Sequence, residues 1–485
     1  MQRVTSSTVA DLFDVAGTRS LEHAAAATLP PHTLMQRAGL AVARLAMALA
    51  PHARTVWIAC GPGNNGGDGL EAAAQLKQRG FAPVVTWLGD ADRAPPDARA
   101  SLERARAAGV VFDASPPAAW DLAIDALLGI GASRPPDGVM AQWLRSMNAG
   151  AAPVLSVDVP SGLDADTGRV SADLMPSRHQ GGRRFCLSLL TLKPGLFTAQ
   201  GRDAAGEVWL DDLGCESSAA TPAGRLAGTP PPRARWHASH KGSYGDVAVI
   251  GGAPGMAGAA LLAASAALHA GAGRVFAGLL DGRAALDASQ PELMLRDAAS
   301  LDLAQMTTVM GCGGGTAVRA LLPRVLSTAH RLVIDADALN AIAFDPALQV
   351  LLESRGRRGQ QTVLTPHPLE AARLLDVDTS AVQADRIGAA QRLANRFGST
   401  VVLKGSGTVI AAPGERPSIN LTGNARLASA GTGDVLAGMV GAALASGLPS
   451  LAAAREAVWL HGHRADRWPA DTPLTAGALA RGGVH

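Results

Sequence analysis

The segment Gly431-Thr432-Gly433-Asp434 delivers a carboxylate to the start of an apolar, helix-forming run at 435–444. Small residues let a bulky ligand approach the backbone, and the free N–H groups in the first turn of a helix attract anions. The helix dipole favours the ionised form of Asp434, so its carboxylate could take a proton from a hydroxyl group. These four residues predict a phosphate pocket and a general base in one turn. Taken alone, an aspartate that helps to cap a buried helix is the simpler interpretation.

A second turn of this kind lies in the N-terminal half, where Gly61-Pro62-Gly63-Asn64-Asn65-Gly66-Gly67-Asp68-Gly69 follows an apolar run. Five of these nine residues are glycines, which lets a ligand lie against bare backbone. Asparagine carboxamides both donate and accept hydrogen bonds, and their oxygens bind hard cations. The spacing matches neither the dinucleotide fingerprint nor the Walker A loop. We predict a ligand-binding loop here, with a capped β-to-α turn as the alternative.

Two aspartates, Asp125 and Asp158, each follow a predicted strand of the same half. A carboxylate at the end of a buried strand is costly unless it is paired, hydrogen-bonded or bound to a cation. The carboxyl ends of parallel strands meet at one edge of a sheet, so both side chains should lie near the asparagine-rich loop. They suggest a cation site, a catalytic acid or base, or both. Taken singly, each aspartate is as readily a turn former.

The C-terminal half places several glycine- or acid-bearing segments after its predicted strands. The segment Lys404-Gly405-Ser406-Gly407-Thr408 could supply a phosphate cradle and a positive charge, and His367 lies between two prolines that hold it stiffly. A solvated lysine and a structural histidine are the alternatives. So many such strand ends in one half are hard to explain as turns alone. We therefore predict a nucleotide site that includes the turn at Asp434.

The elements that would position these residues alternate short β-rich runs with alanine-rich helical stretches, which predicts α/β domains with parallel sheets. Residues 215–236 are rich in proline and small residues and carry no periodicity, so we predict a linker there. It separates an N-terminal domain, 1–214, from a C-terminal domain, 237–485. The predicted strands are 55–60, 83–88, 122–126 and 154–157 in the first domain, and 246–250, 274–279, 308–311, 332–335, 362–365 and 400–403 in the second.

The composition describes a globular protein of 485 residues, 47% hydrophobic and 17% charged. Its net charge of +2 and the lack of a lysine or arginine run argue against nucleic acid as a partner. Four scattered cysteines without a CxxC pair suit a reducing compartment. The N-terminus lacks the apolar core of a signal peptide, and no apolar run is long enough to span a membrane. We expect a cytoplasmic protein with neither nucleic acid nor membrane as a partner.

Over nearly its full length the chain resembles the bifunctional NAD(P)H-hydrate repair enzymes. The N-terminal half resembles their epimerase domain through the 64–69 loop and Val157-Asp158-Val159-Pro160-Ser161-Gly162. The C-terminal half resembles their ADP-dependent dehydratase domain through Lys241-Gly242-Ser243-Tyr244-Gly245, Asp335-Ala336-Asp337-Ala338-Leu339-Asn340, Thr365-Pro366-His367-Pro368 and the turn at Asp434. The resemblance implies a Rossmann-like three-layer domain followed by a ribokinase-like α/β domain. The implied activity interconverts R- and S-NAD(P)H hydrates and then restores the S form to NAD(P)H, converting ADP to AMP and phosphate.

The resemblance also implies a set of site residues and ligands. In the first domain, K⁺ would be bound by Asn65, Asp125 and Ser161, and Asp158 would transfer a proton. The hydrate would contact Asn64, Asn65, Gly66, Gly67 and Asp68, the loop Gly129, Ile130, Gly131, Ala132, Ser133, Arg134 and Pro135, and also Asp158. In the second domain, the hydrate would contact Ala257, Gly315, His367 and Asp434, and the adenine nucleotide would contact Lys404, Gly405, Ser406, Gly407, Thr408 and Gly433. Asp434 would deprotonate the ring hydroxyl, Mg²⁺ would shield the phosphates, and we expect a homo-oligomer.

One stretch departs from the family pattern. Before Lys193-Pro194-Gly195 the family usually has an apolar strand, whereas this chain has a basic, glycine-bearing run at 175–186. Such a run is a poor sheet strand, which puts the edge of the first sheet and the epimerase activity in question.

Two alternative functions stay open for the whole chain. One is a ribokinase-like kinase for a small alcohol such as a vitamin precursor, and the other is a nucleotide-binding regulatory protein whose first domain is inactive.

Overall fold

The computed structural model describes residues 1–132, 134–175, 181–215, 220–282 and 287–482. The chain divides into two compact units. The first comprises Met1–Thr5 and Ala10–Arg225, and the second comprises Ser6–Val9 and Leu226–His485. In the described ranges, no helix has both the length and the apolar character needed to cross a bilayer.

The elements from residue 1 to residue 227 alternate strands with helices, as the sequence predicts. The strands are β1 (Gln2–Arg3), β2 (Val9–Leu12), β3 (Thr55–Cys60), β4 (Ala82–Trp87), β5 (Val111–Asp113), β6 (Leu122–Ala126), β7 (Val154–Val157), β8 (Arg184–Leu189), β9 (Glu207–Asp211) and β10 (Gly224–Ala227). The helices are α1 (Val15–Ala26), α2 (Thr33–Leu49), α3 (Asn64–Gln78), α4 (Pro96–Ala107), α5 (Gly138–Ala149) and α6 (Gly201–Ala205).

The first unit is built on an eight-stranded sheet in the order β1-β9-β8-β7-β6-β3-β4-β5. Only β1 runs antiparallel to its neighbour; the other pairs are parallel, with Ala59 opposite Asp125 and Asp125 opposite Ser156. Side chains of α2, α3 and α4 pack on one face of the sheet, and those of α5 pack on the other. The strands are apolar on both faces because helices cover both. This three-layer arrangement confirms the predicted fold class.

The prediction that the run at 175–186 is a poor sheet strand is wrong for its last residues, 184–186. Arg184 begins strand β8, which pairs in parallel with both β7 and β9 well inside the sheet. Phe185, Cys186 and Leu187 are buried, so the apolar residues after the two arginines supply a strand that composition over the whole run concealed. Residues 176–180 lie outside the described residues.

The second unit alternates strands and helices in the same way. Its strands are β11 (Asp246–Gly251), β12 (Arg274–Leu279), β13 (Met294–Leu295), β14 (Thr307–Met310), β15 (Arg331–Ile334), β16 (Thr362–Leu364), β17 (Thr400–Leu403), β18 (Val409–Ala411) and β19 (Ser418–Ile419). Its helices are α7 (Ala257–His269), α8 (Val318–Thr328), α9 (Ala336–Ala343), α10 (Pro346–Arg357), α11 (Pro368–Leu375), α12 (Thr379–Ala384), α13 (Arg386–Phe397), α14 (Thr432–Ala445), α15 (Ser450–Asp466) and α16 (Ala476–Ala480).

These nine strands are ordered β13-β12-β11-β14-β15-β16-β17-β18-β19, parallel from β13 to β17 and antiparallel from there to β19. Alternate residues of β11 enter different cores. Val247 and Val249 pack with α7, α14 and α15, whereas Ala248 and Ile250 pack with α8 to α13. The two-residue period of a strand thus divides the helices into two layers. As a result, the carboxyl ends of the parallel strands form one edge, where the polar segments gather.

The predicted linker is not free of secondary structure. Strand β10 lies within 215–236, and the division between the units falls inside it, at Arg225 and Leu226. The sequence does not predict this strand, because proline and glycine lie on both sides of it and its buried and half-buried residues alternate over only four positions. The ten strands predicted from the sequence all exist, with ends displaced by at most one residue.

Helices α7 and α14 approach each other closely because α14 carries a glycine at the contact. A Cβ added at Gly438 would lie 2.0 Å from the backbone oxygen of Ala263. Both helices are rich in alanine and glycine, which lets their backbones approach. The position of α14, and hence that of Asp434 in its first turn, depends on this contact.

We therefore expect Gly438→Ala to destabilise the second unit by about 1–3 kcal/mol, because overpacking a buried contact costs this much. The matched control is Gly258→Ala in α7, where an added Cβ would meet nothing within 4 Å. Alanine is the better helix former there, so the control should be neutral or slightly stabilising. Differential scanning calorimetry of the full chain measures both variants. Equal transition temperatures would contradict the role of the close approach.

Candidate functional site

In the first unit, the predicted ligand loop lies where β3 passes into α3. The helix begins at Asn64, so the N–H groups of residues 64–66 have no acceptor within the helix, whereas that of Gly67 donates to the Gly63 oxygen at 3.1 Å. The loop is pressed against its neighbours: a Cβ at Gly61 would lie 1.9 Å from the oxygen of Leu127. Only glycine fits there, and it brings the loop next to the end of β6.

At the end of β6 the buried Asp125 carboxylate is fully engaged with Ser161. It accepts hydrogen bonds from the Ser161 amide at 2.8 Å and the Ser161 hydroxyl at 2.5 Å, and more distantly from Leu127 N and Ser156 Oγ. Burial raises the pKa of Asp125, and these hydrogen bonds oppose the rise. The structure thus brings two of the three predicted cation ligands into direct contact.

The third predicted ligand, Asn65, lies beside the same loop. A Cβ at Gly129 would lie 3.1 Å from Asn65 Oδ1, so the two residues are adjacent. The Asn65 Nδ2 is buried and has no hydrogen-bond partner. Oxygen and nitrogen of a carboxamide are assigned from their surroundings, and a flipped Asn65 would aim its oxygen into this position. The Asn65 carboxamide, with its unpartnered Nδ2, adjoins the loop that follows β6, the strand that contains the buried Asp125, and this fits the donor set of a hard cation.

Asp158 pairs with a residue that the sequence analysis did not single out. Lys193 is fully buried, and its ammonium donates to Asp158 Oδ1, to the oxygens of Leu189 (2.8 Å) and Thr191 (3.1 Å), and to Ser188 Oγ (3.3 Å). Asp158 itself has a φ of 68°, a left-handed conformation that is uncommon outside glycine. The ion pair and this turn fix the direction of the carboxylate. In the sequence, Lys193-Pro194-Gly195 marks only the end of the stretch that contains the atypical run, because nothing local along the chain links Lys193 to Asp158.

Two further acids stand near Asp158. Desolvation, and after it the charge of Asp158, raises the pKa of Asp68 well above its ordinary value, and the same two causes raise the pKa of Glu22 on α1. The carboxyl groups can therefore hold a proton close to Asp158 at a pH where ordinary carboxylates are ionised. Glu22 was missed because α1 is distant in the sequence and carries no motif.

The loop predicted to contact the hydrate forms the outer part of this site. Gly129 and Ile130 are half-buried, whereas Gly131, Ala132, Arg134 and Pro135 are exposed. Ser133, which belongs to the same prediction, lies outside the described residues. The loop thus runs from the Asn65 contact to solvent.

In the second unit, an ion pair between a half-buried lysine and a buried aspartate organises the carboxyl edge of the sheet. Lys404, at the end of β17, lies 2.7 Å from Oδ1 of Asp335, which follows β15. Thr365 after β16 donates to the same oxygen at 2.7 Å, and Glu370 of α11 lies 4.0 Å from the Lys404 ammonium. Three neighbouring strands thereby meet at one carboxylate. Burial raises the pKa of Glu370 to about 7, although Lys404 opposes the rise.

The His367 side chain caps the helix that follows it, a role that the sequence analysis did not predict. Its Nδ1 accepts from the amides of Leu369 (3.1 Å) and Glu370 (3.2 Å), so the imidazole caps α11, and its Nε2 lies 3.2 Å from Glu370 Oε1. Burial, followed by the charge of Lys404, lowers the pKa of His367. The ring is thus neutral and held by its own helix while remaining partly exposed, which leaves its predicted contact with the hydrate a prediction.

Asp434 lies in the first turn of α14, close to Asp335 and Cys312. One ligand atom of each residue falls within 4.8 Å of the other two, and Cys312 Sγ is 3.9 Å from Asp335 Oδ2. Burial, and after it the Asp335 charge, raises the pKa of Asp434 to about 6, while Cys312 and Lys404 oppose the rise. Asp434 is therefore a stronger base than an ordinary carboxylate and still ionised at neutral pH.

The remaining predicted residues of this unit lie at the same edge. Gly433 would place a Cβ 3.4 Å from the Lys404 ammonium, so the start of α14 adjoins the end of β17. Gly315 would place one 3.0 Å from Met256, the residue before Ala257, and its amide donates to Asp337 at 2.8 Å. In the turn at 405–408, the Thr408 hydroxyl donates to the Gly405 oxygen at 3.1 Å. The sequence analysis did not single out Cys312 or Glu370 as site residues, because their role appears only in the packing.

Comparison with known proteins agrees with this geometry. A family model described as NAD(P)H-hydrate dehydratase matches residues 247–480, and one described as YjeF-related protein N-terminus matches residues 31–195. The bifunctional NAD(P)H-hydrate repair enzyme Nnr of Escherichia coli is 36% identical over 465 residues, covering 90% of this chain and 85% of its own length. The chain belongs to the bifunctional NAD(P)H-hydrate repair enzymes. It is an epimerase and an ADP-dependent dehydratase in one polypeptide, which confirms the predicted function over the kinase and regulatory alternatives.

Other relatives match one or both halves. The repair enzyme of Vibrio cholerae is 36% identical and covers 89% of this chain and 88% of its own. The ADP-dependent (S)-NAD(P)H-hydrate dehydratase of Neisseria meningitidis is 44% identical over 256 residues, covering 51% of this chain and 85% of its own. A solved ADP/ATP-dependent dehydratase from Bacillus subtilis, co-crystallised with ATP and Mg²⁺, is 31% identical, covers 52% of this chain and 91% of its own, and has a TM-score of 0.44.

The Lys193–Asp158 pair generates a stability prediction for the repair enzyme. Lys193→Met leaves a buried carboxylate without its partner, which costs about 3–5 kcal/mol. The double variant Lys193→Met/Asp158→Asn removes both charges, so we expect it to recover most of that loss. Urea unfolding followed by tryptophan fluorescence completes the cycle with Asp158→Asn alone. A double variant as unstable as Lys193→Met would show that the loss comes from packing of the lysine stem instead.

Proposed function

We propose that the second unit repairs the S-hydrate with Asp434 as the general base. Asp434 takes the proton of the ring hydroxyl, whose oxygen then attacks the β-phosphorus of ADP and releases AMP. Loss of the phosphate, with a proton from the neighbouring ring carbon, restores the double bond of NAD(P)H. The observation that carries this proposal is the raised pKa of Asp434 beside the Asp335–Lys404 pair at the start of α14. Ala257, Gly315 and His367 would contact the hydrate.

The adenine nucleotide would lie along the turn at 404–408 and Gly433. Amides of a glycine-bearing turn and of a helix start suit phosphate oxygens, and Lys404 adds a positive charge. Mg²⁺, which accompanies the nucleotide in the Bacillus subtilis dehydratase, would shield the phosphate charge here.

We propose for the first unit that Asp158 moves the proton when the R- and S-hydrates interconvert, with Lys193 holding its carboxylate in place. The 64–68 turn and the loop that begins at Gly129 would bind the hydrate. Asn65, Asp125 and Ser161 would hold K⁺, and the buried Asn65 Nδ2, which has no hydrogen-bond partner, supports this. The ion would supply a fixed positive charge that orders the two loops. A cytoplasmic location and a homo-oligomer stay predictions.

For Asp434→Asn we expect the rate of S-hydrate repair to fall by about 10²–10⁴, the usual contribution of a general base, while ADP still binds. The unchanged enzyme should lose kcat as the pH falls through about 6, because protonation of Asp434 removes the base. Recovery of reduced-nicotinamide absorbance with S-hydrate, ADP and Mg²⁺ measures the rate, and calorimetry measures ADP binding.

The control for that variant is Asp471→Asn, which alters an exposed aspartate of the same unit. It should keep both the rate and the pH profile of the parent enzyme. A near-normal rate in Asp434→Asn would remove Asp434 as the base. No recovery at all by the parent enzyme would instead refute the dehydratase assignment.

For Asp158→Asn we expect unchanged repair of the S-hydrate and repair of the R-hydrate only at its spontaneous rate of epimerisation. The amide keeps the shape of the side chain but is a far weaker proton acceptor. Asp173→Asn, which changes an exposed carboxylate of the same unit, is the matched control. Assays that start from each purified epimer separate the two activities. Equal R-hydrate rates in parent and Asp158→Asn would exclude Asp158 as the proton carrier.

A further inference from the structure

A buried arginine underlies the proposed nucleotide turn. Arg386, the first residue of α13, is 2% exposed. Its Nη2 donates to the backbone oxygens of Leu403 at 3.3 Å and Lys404 at 3.1 Å, and its Nη1 donates to Gln383 Oε1 at 3.0 Å. Burial lowers the pKa of Arg386 to about 10, so the guanidinium still carries its charge at neutral pH.

These two carbonyl groups lie at the point where β17 ends and the turn begins. A strand residue has its carbonyl direction set by the neighbouring strand, whereas a turn residue does not. At Lys404 the Arg386 guanidinium sets the carbonyl direction instead, since one planar group can hold two oxygens at a fixed separation. The turn is packed directly on it: a Cβ at Gly405 would lie 2.9 Å from Arg386 Nη2.

Holding the carbonyl of Lys404 also sets the direction of the next amide. In a planar trans peptide the C=O of one residue and the N–H of the next point in opposite directions. The Lys404 oxygen points at Arg386, so the Gly405 N–H points away from it, to the opposite side of the turn. The Lys404 amide is fixed independently, because it donates to the Pro366 oxygen at 2.9 Å.

We infer that Arg386 is a positioning residue for ADP: it aligns the peptide at Lys404–Gly405 so that the 405–408 turn can receive the phosphates. This inference rests on the proposed binding of the nucleotide at that turn. Arg386 does not touch the reacting atoms in this account, so its loss affects the affinity for ADP and leaves the chemical step and the hydrate site in place.

The chain offers a closely matched control in Arg355. This arginine is also fully buried in the second unit, and its Nη1 donates to two backbone oxygens, those of Leu326 (3.1 Å) and Ala329 (2.8 Å). Burial lowers its pKa to about 10 as well. It differs in place, because it joins α10 to the end of α8 and contacts none of the predicted site residues in the described contacts. If ADP affinity falls only because a less suitable side chain is buried, the variants of Arg355 and Arg386 should lose it equally.

The test compares Arg386→Lys and Arg386→Met with Arg355→Lys and Arg355→Met in the full chain. We expect the KM and calorimetric Kd for ADP to rise roughly tenfold or more in Arg386→Met, as loss of a charged hydrogen bond predicts. Arg386→Lys should be intermediate because it keeps the charge but reaches fewer oxygens. The KM for S-hydrate and the kcat at saturating ADP should stay within about twofold in both, since neither depends on this contact.

Gln383→Ala keeps the proposal testable if Arg386→Met does not fold. Gln383 is exposed, and its loss frees one side of the guanidinium, so we expect a smaller rise in the KM for ADP alone. Unchanged ADP affinity in folded Arg386→Lys and Gln383→Ala would overturn the inference. So would an equal loss of ADP and hydrate affinity that the Arg355 variants reproduce. A parent enzyme that does not bind ADP would instead refute the proposed nucleotide site.

Discussion

A carboxylate buried at the carboxyl end of a parallel strand needs a compensating charge or a full set of hydrogen bonds, and each unit meets this need at its site. In the second unit Lys404 compensates Asp335, and in the first Lys193 compensates Asp158. Asp125 is satisfied without a cation of the protein, by the amide and hydroxyl groups of Ser161 and its neighbours. The strands can therefore end in acids at the edge where α/β sheets bind ligands.

This compensation also decides how basic the reactive carboxylates are. Lys404 points to Asp335, and so Asp434 feels the Asp335 charge together with only part of the opposing lysine charge. With burial, the result is a carboxylate whose pKa is about 6. A lysine shared equally between the two acids would make Asp434 a weaker base. By pairing with Asp335, Lys404 thus leaves most of the Asp434 charge uncompensated, and this is how the ion pair serves the site.

The sequence predicts what depends on local pattern. Strands such as Thr55–Cys60 and the turn before α14 follow from runs of apolar residues that end at glycine or aspartate, and the family follows from motif order. It does not predict partners that are distant along the chain. Lys193 meets Asp158 across 35 positions, and Arg386 meets Lys404 across 18, with no shared motif. Strand β8 was misjudged for the same reason, because its stability comes from the two strands on either side of it.

Residue type alone also fails to separate the buried arginines and lysines of this chain by their tasks. Arg355 and Arg386 are both buried and both bind main-chain oxygens, yet one joins two helices and the other lies beneath a turn that carries predicted ligand contacts. The two arginines differ in whether the backbone that each one holds would otherwise have an undetermined direction. A helix end that is packed on both sides needs little further restraint, whereas a glycine-bearing turn after a strand does. A buried cation therefore contributes most to function where it fixes backbone that the sheet has stopped holding.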